Sequence, residues 1–256
     1  MVEILPAILA KTSGDYHRKF KAVEPYTEWV QIDIVDGRFA PVKTIGPREV
    51  AAFRTSKKLE IQLMVNFIED WLDNFVKIQA VKRIVFPVET AYDPIGIIRH
   101  LKRHKIEVGV SINPQTSPER LQHIISYLDT ALVLSVYPGF SGQHFVHGSF
   151  EKIKKIKQMN PNVRVEIDGG ISPGTARKAA EEGADILVAG SFIFEYPRKG
   201  DEGSTFDNAN MSTKSRRFTS TESRYNIEGD SYQERIQSAL RILKDDVEGL
   251  LPSKNS

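Results

Sequence analysis

The chain has 256 residues, 40% of them hydrophobic, a formal net charge of +2 and no cysteine. Such a length can bury one large core, and the near-balance of acids and bases argues against nucleic-acid or membrane-surface partners. The missing thiols exclude disulfides, thiolate nucleophiles and thiolate metal ligands together, and with neither a secretory leader nor a membrane-length apolar run legible, a cytoplasmic location is expected.

From the N-terminus, short apolar runs alternate with longer amphipathic ones, the pattern of repeated strand-helix units. Strands are predicted at Ile4–Leu9, Trp29–Ile34, Leu59–Val65, Arg83–Phe86, Val108–Ile112, Leu132–Val136, Val163–Ile167 and Ile186–Ala189. Helices are predicted between them at Asp15–Ala22, Pro47–Arg54, Ile68–Ala80, Pro94–His104, Pro118–Tyr127, Phe150–Gln158 and Pro173–Glu182. Periodicity alone does not separate a closed barrel from an open doubly wound sheet. Regular spacing, with polar residues gathered at strand ends, favours a single α/β domain over residues 1–256, a (β/α)8 TIM barrel with its chemistry at the C-terminal strand ends.

The last two units are the most informative. Val163–Ile167 runs into Asp168, Gly169 and Gly170; Ser172 and Pro173 offer an N-cap and first turn, and Gly183 a stop. The next strand ends on Gly190 and Ser191. Glycines at consecutive strand ends leave backbone N–H groups on one edge of the sheet, where anions bind. Past that point, residues 197–231 are rich in Ser, Thr, Asn, Gly and mixed charges, and are expected to be a disordered insertion. Helical spacing returns at Tyr232, with Ile236, Leu240, Ile242 and Leu243 on one face.

The C-terminal strand ends bring forward Ala7, Gln31, Asp33, Asp36, Gln62, Met64, Glu89, Asn113, the segment Pro138–Gln143 and Asp168. Gln31 and Asp33, two apart on one strand, share a face, the barrel interior. An internal hydrogen-bond cluster of Gln31, Asp33 and Gln62 is the plain alternative to a binding site there. The site is favoured because Asp168 brings a second acid to the same rim, and two facing acids hold a structure together poorly but transfer protons well. None of the six histidines closes a barrel strand, so two carboxylates and two amides would suit at most a weakly held hard cation.

From Ile4 to Phe194 the chain resembles the ribulose-phosphate 3-epimerases. The resemblance is carried by LPAILA (5–10), WVQIDIVDGRFAP (29–41), TIGP (44–47), QLMV (62–65), INP (112–114), VYPGFSGQHF (136–145), IDGG (167–170) and VAGSFIF (188–194). It implies a (β/α)8 barrel that binds a ketose phosphate and inverts the carbon beside its carbonyl, one acid taking a proton and another returning one on the opposite face. Asp33 and Asp168 match that acid pair. Gly139, Phe140, Ser141 and Gly142, with Gly169, Gly170, Gly190 and Ser191, match the substrate and phosphate loops, beside Gln31, Gln62 and Met64. The resemblance also implies a divalent metal held by Asp33, Asp168 and two histidines. Gln31 and Gln62 stand at the histidine positions, so metal is expected to be loosely held or absent. Ala7 replaces the family's usual serine and Tyr137 its asparagine. The competing reading is a non-catalytic phosphosugar-binding paralogue; both leave a homo-oligomer open.

Overall fold

The computed structural model describes residues 2–137, 145–195 and 231–249. Of the sequence-based expectations, the loop glycines Gly139–Gly142 and the insertion at 197–230 lie outside the described residues.

Eight parallel strands close into a barrel in chain order, β1 (Glu3–Ile8), β2 (Trp29–Val35), β3 (Lys58–Met64), β4 (Val81–Pro87), β5 (Glu107–Ile112), β6 (Thr130–Leu134), β7 (Arg164–Asp168) and β8 (Ile186–Ala189), with β8 pairing back to β1. The helices are α1 (Ser13–Val23), α2 (Pro47–Ala52), α3 (Glu69–Phe75), α4 (Pro94–Arg103), α5 (Ser149–Met159), α6 (Thr175–Glu181), the four-residue α7 (Ser191–Phe194) and α8 (Tyr232–Val247). Their starts follow the local chemistry: Thr12 caps α1, Asp93 caps α4 ahead of Pro94, and Ser231 with Glu234 forms a capping box on α8.

Alternation along the strands sorts side chains into two sets. Ile32, Ile34, Ile61, Leu63, Ile84, Val108, Val165 and Leu187 join the main core beneath the helices. Their neighbours face the lumen, where two small apolar groups, Leu5, Ala7, Ile186 and Val188, and Val85, Leu132 and Leu134, flank a polar column. A barrel lumen is ordinarily layered with branched apolar side chains. Here Gln31, Asp33, Glu60, Gln62, Arg83 and Glu166 are buried in the barrel strands.

Three expectations need correction. The helix predicted at Pro118–Tyr127 is two 3₁₀ turns, Pro118–Leu121 and Ile125–Tyr127. Leu121 and Ile124, like Ile125 and Leu128, are three apart and buried, a spacing that tighter turns satisfy as well as an α-helix does. The helix predicted to reach Ala80 ends at Phe75, and the chain turns there through an Ile78 N–H bond to the Phe75 carbonyl. Finally, Ser172 and Pro173 do not open α6. Gly174, at φ +91°, holds its N-cap position, while the Thr175 hydroxyl bonds back to the Gly170 carbonyl.

Candidate active site

The lumen's polar column divides into an upper and a lower group. At the upper level, β2 and β3 pair in a register that sets Asp33 beside Gln62. Gln31 Nε2 donates to Asp33 Oδ1 at 2.8 Å and to Gln62 Oε1 at 2.5 Å. Gln31 and Gln62 are fully buried and Asp33 nearly so, while Asp168, the last residue of β7, is half-buried. The internal cluster weighed from the sequence is therefore made. It is incomplete, however: Gln31 Oε1 and Gln62 Nε2 are buried with no hydrogen-bond partner among the described residues. An unsatisfied buried amide group costs about 1–3 kcal/mol, which a polar ligand would recover.

Asp168 approaches this cluster from β7, and both acids are pushed toward their protonated forms. Burial pushes Asp33 up to about 6, against the Gln31 hydrogen bond that favours its charged form; Glu60 repels the charge and Lys19 attracts it. Burial, then the neighbouring Asp33, pushes Asp168 up to about 8, although the amides of Gln62 and Gln31 favour its ionised form. One proton shared between two such carboxyls would leave one group able to accept a proton and the other able to donate one.

Beneath them lies a group that the sequence reading missed. Arg83 is 1% exposed and donates to Glu60 at 2.6 Å and to Glu107 at 2.9 Å, its guanidinium 4.5 Å from the Trp29 ring centre and 4.0 Å from Glu166. Glu60 and Glu166 are fully buried, and burial, then Glu60, drives Glu166 well above the ordinary carboxyl range. The signal was present in the sequence. Glu60 precedes Gln62 by two residues and Glu166 precedes Asp168 by two, so each pair shares a face of its strand.

The remaining strand-end residues serve the loops. Asp36 accepts from the N–H groups of Arg38, Phe39 and Asn66, which outweigh its partial burial and hold its carboxyl low. Glu89 accepts from the Asn113 N–H at 2.8 Å, and Lys152 ties down the Asn113, Pro114 and Thr116 carbonyls. Met64 is buried in an apolar cluster with Val35, Ala40 and Val42. Ala7 packs in the lumen with Leu5 and Val188, and Tyr137 is half-exposed.

At the ends of β7 and β8 the glycines are needed. Gly169 has φ +111° and an added Cβ would lie 2.5 Å from Val136 Cγ2; Gly170 has φ +61° against Phe145. Ser135 fastens this turn through bonds to the Asp168 and Gly169 carbonyls. Gly190, next to Ser191, would place a Cβ 3.4 Å from the Ala7 carbonyl oxygen. Since β7 and β8 are neighbours, these two turns lie side by side at one edge of the mouth.

The donor set at the mouth does not fit a tightly held transition metal. Gln31 turns an amide nitrogen toward both Asp33 and Gln62, placing a hydrogen-bond donor between acceptors that a cation would need. Among the described residues, no group of three or more histidine, aspartate or glutamate side chains converges in a metal-holding arrangement.

The sequence pattern described as the Ribulose-phosphate 3 epimerase family matches residues 3–194. A ribulose-phosphate 3-epimerase of Rhodobacter capsulatus is 34% identical over 204 residues, 76% of this chain and 86% of that protein. One from Bacillus subtilis is 33% identical over 202 residues, 76% of this chain and 93% of its own length. Among solved structures, a chain of the tryptophan synthase complex from Pyrococcus furiosus superposes with a TM-score of 0.60 at 16% identity, covering 96% of this chain and 98% of that one. That likeness is one of fold.

Proposed function

Since the chain belongs to the ribulose-phosphate 3-epimerase family, we propose that it epimerises a phosphorylated ketose at the carbon beside the carbonyl, with Asp33 and Asp168 as the two proton-transfer groups. The observation that carries this reading is the pair itself, two acids brought to one barrel mouth by β2 and β7 and both pushed by burial toward the protonated form. With one proton between them, Asp33 as carboxylate takes the proton from the substrate carbon, and the C–H electrons pass into an enediolate. Asp168 as carboxylic acid then delivers its proton to the opposite face of that carbon. In the reverse direction the roles exchange. Gln62 Nε2, buried beside Asp168, is a preorganised donor for the enediolate oxygen, and one such donor is worth on the order of 3 kcal/mol. When the substrate is bound, its phosphate rests on backbone N–H groups of the turns at Gly169–Gly170 and Gly190–Ser191, with Gly139–Gly142 completing the cradle as the resemblance implies.

A second reading, phosphosugar binding without turnover, draws on the Gln31 hydrogen bonds to Asp33 and Gln62, which satisfy part of the acid's capacity without any substrate. Exchange of the substrate's α-proton with deuterium from the buffer decides between the two. Exchange that continues in the presence of a chelator supports epimerisation at this site; binding of the sugar phosphate with no exchange favours the second reading.

Two further results are expected. Inorganic phosphate should raise the melting temperature of the wild type, and Gly190→Asp, which adds a negative charge to the turn on a Cβ 3.4 Å from the Ala7 carbonyl oxygen, should abolish that shift while the protein still folds. A folded Gly190→Asp variant with the full phosphate shift would remove β8 from the phosphate site. Changing Gln31 and Gln62 together to histidine should convert the mouth to two imidazoles and two carboxylates, a set suited to zinc, iron or manganese. Elemental analysis should then find about one metal per chain in the double variant and well below that in wild type. Stoichiometric metal in wild type, with exchange lost on chelation, would overturn the metal-poor site.

A further inference from the structure

Resting on the phosphate reading above, we propose that Asp246, beyond the region that the family pattern covers, is a positioning residue for the phosphate loop, acting through the N-terminus of α6. The first turn of a helix leaves N–H groups without partners, and a local Ser, Thr, Asp or Asn normally caps them. In α6 the capping position holds Gly174, which has no side chain to do so.

The acceptor comes instead from the other end of the chain. Asp246 is 2% exposed, and its Oδ2 accepts from the N–H groups of Gly174 at 2.7 Å and Arg177 at 3.0 Å. Arg177 returns the contact, with Nε on the Asp246 carbonyl at 3.0 Å and Nη2 3.3 Å from Oδ1. Besides the Ser135 bond to Gly169, the loop between β7 and α6 is thus fixed from the side of the helix. Asp246 holds Gly174, and the Thr175 hydroxyl holds the Gly170 carbonyl at 2.9 Å, so the second glycine of the turn inherits the placement of α6.

Helix α8, which carries Asp246, is bound to the barrel independently of that carboxylate. Ile236, Ala239, Leu240 and Leu243 are buried in the main core, and α8 contacts α1, α6, α7 and β1. Because α7 directly follows Gly190, one helix braces the chain behind both phosphate-side turns. The apolar anchoring lets α8 stay docked when its carboxylate is removed, so the capping contact can be tested by itself.

The test uses the full chain and inorganic phosphate as probe, with the Kd measured well below the melting temperature, beside KM and kcat for the sugar phosphate. Asp246→Ala is expected to raise both the phosphate Kd and KM about tenfold or more, in keeping with loss of a cap, while kcat stays within about twofold. Asp246→Asn keeps an oxygen for the Gly174 N–H but loses the charge that also holds Arg177. It should fold and should raise both constants about threefold, between wild type and Asp246→Ala. A purely structural role would lower the melting temperature of these variants and leave Kd and KM unchanged; that result overturns the proposal, and in Asp246→Asn alone it does so even if Asp246→Ala fails to fold. Absence of phosphate binding in wild type would instead overturn the phosphate site on which this proposal rests.

Discussion

Asp33→Asn and Asp168→Asn are each expected to slow epimerisation at least about a hundredfold, the lower end for a positioned acid or base. Each variant should keep its fold, because an amide occupies the same volume and buried acids of raised proton affinity weaken the folded state at neutral pH. The sign follows from proton binding. With Asp33 at about 6 and Asp168 at about 8, the folded protein holds protons that the unfolded chain has released, so this contribution to stability is complete below the ordinary carboxyl range and is lost as pH rises through 6 to 8. The asparagine variants should therefore melt no lower than wild type at pH 8. The pH dependence of kcat/KM supplies the companion measurement. The two acids titrate as a pair, and only the singly protonated pair contains both a base and an acid. A bell with its acid limb near 6 and its alkaline limb near 8 is expected. Activity level from about pH 5 to pH 9 would dissociate the pair from the chemistry.

Arg83→Met should cost about 3–5 kcal/mol of unfolding free energy, the range for removing one partner of a buried ionic group. Arg83 is the cation placed against Glu60 and Glu166, and both carboxylates are fully buried. Its removal leaves Glu60 Oε1 and both Glu166 oxygens, already without partners among the described residues, with no opposing charge in hydrogen-bond reach. The loss should shrink toward acid pH, where Glu166, its proton affinity raised by burial, is neutral. A triple replacement, Arg83→Met with Glu60→Leu and Glu166→Leu, should recover much of the stability, since a packed apolar set matches or exceeds a buried ion cluster. Urea unfolding at pH 5 and pH 8 measures all three effects. A loss under about 1 kcal/mol at pH 8 would show that the lower lumen does not depend on this charge.

Much of this architecture was legible in the sequence because strand runs and glycine stops are local signals. The strand predicted at Ile186–Ala189 matches β8 end to end, and β7 is displaced by one residue from its predicted span, which leaves Asp168 as its last member. Gly183 stops α6 in a left-handed conformation at φ +100°, as its place in the sequence suggested. What escaped was set by contacts between distant parts of the chain. Ser172 and Pro173 form a sound local cap signal, but a carboxylate from α8 supplies the acceptor and the helix starts two residues later. Glu60, Arg83 and Glu166 lie on strands whose apolar neighbours advertise burial, yet their partnership depends on barrel registers such as Glu60 beside Arg83, which no single stretch encodes. For the site, Asp33 and Gln31 were placed together by strand parity, and Asp168 reached the same rim only through the choice of a closed barrel, which periodicity by itself does not separate from an open sheet.

That closure also constrains how the protein is made. Of the barrel strands, β1 is the first to leave a ribosome, and its partner on one side, β8, is the last. At about 5–20 residues per second, a nascent chain spends roughly 10–40 s with the β1 edge open and the lumen acids accessible to water. Throughout that interval the exposed strand edge can pair with another chain. Slowed elongation before residue 186 or a cut between β7 and β8 would prolong the vulnerable state, and a holding chaperone that binds extended apolar segments should favour such stalled chains over the completed protein.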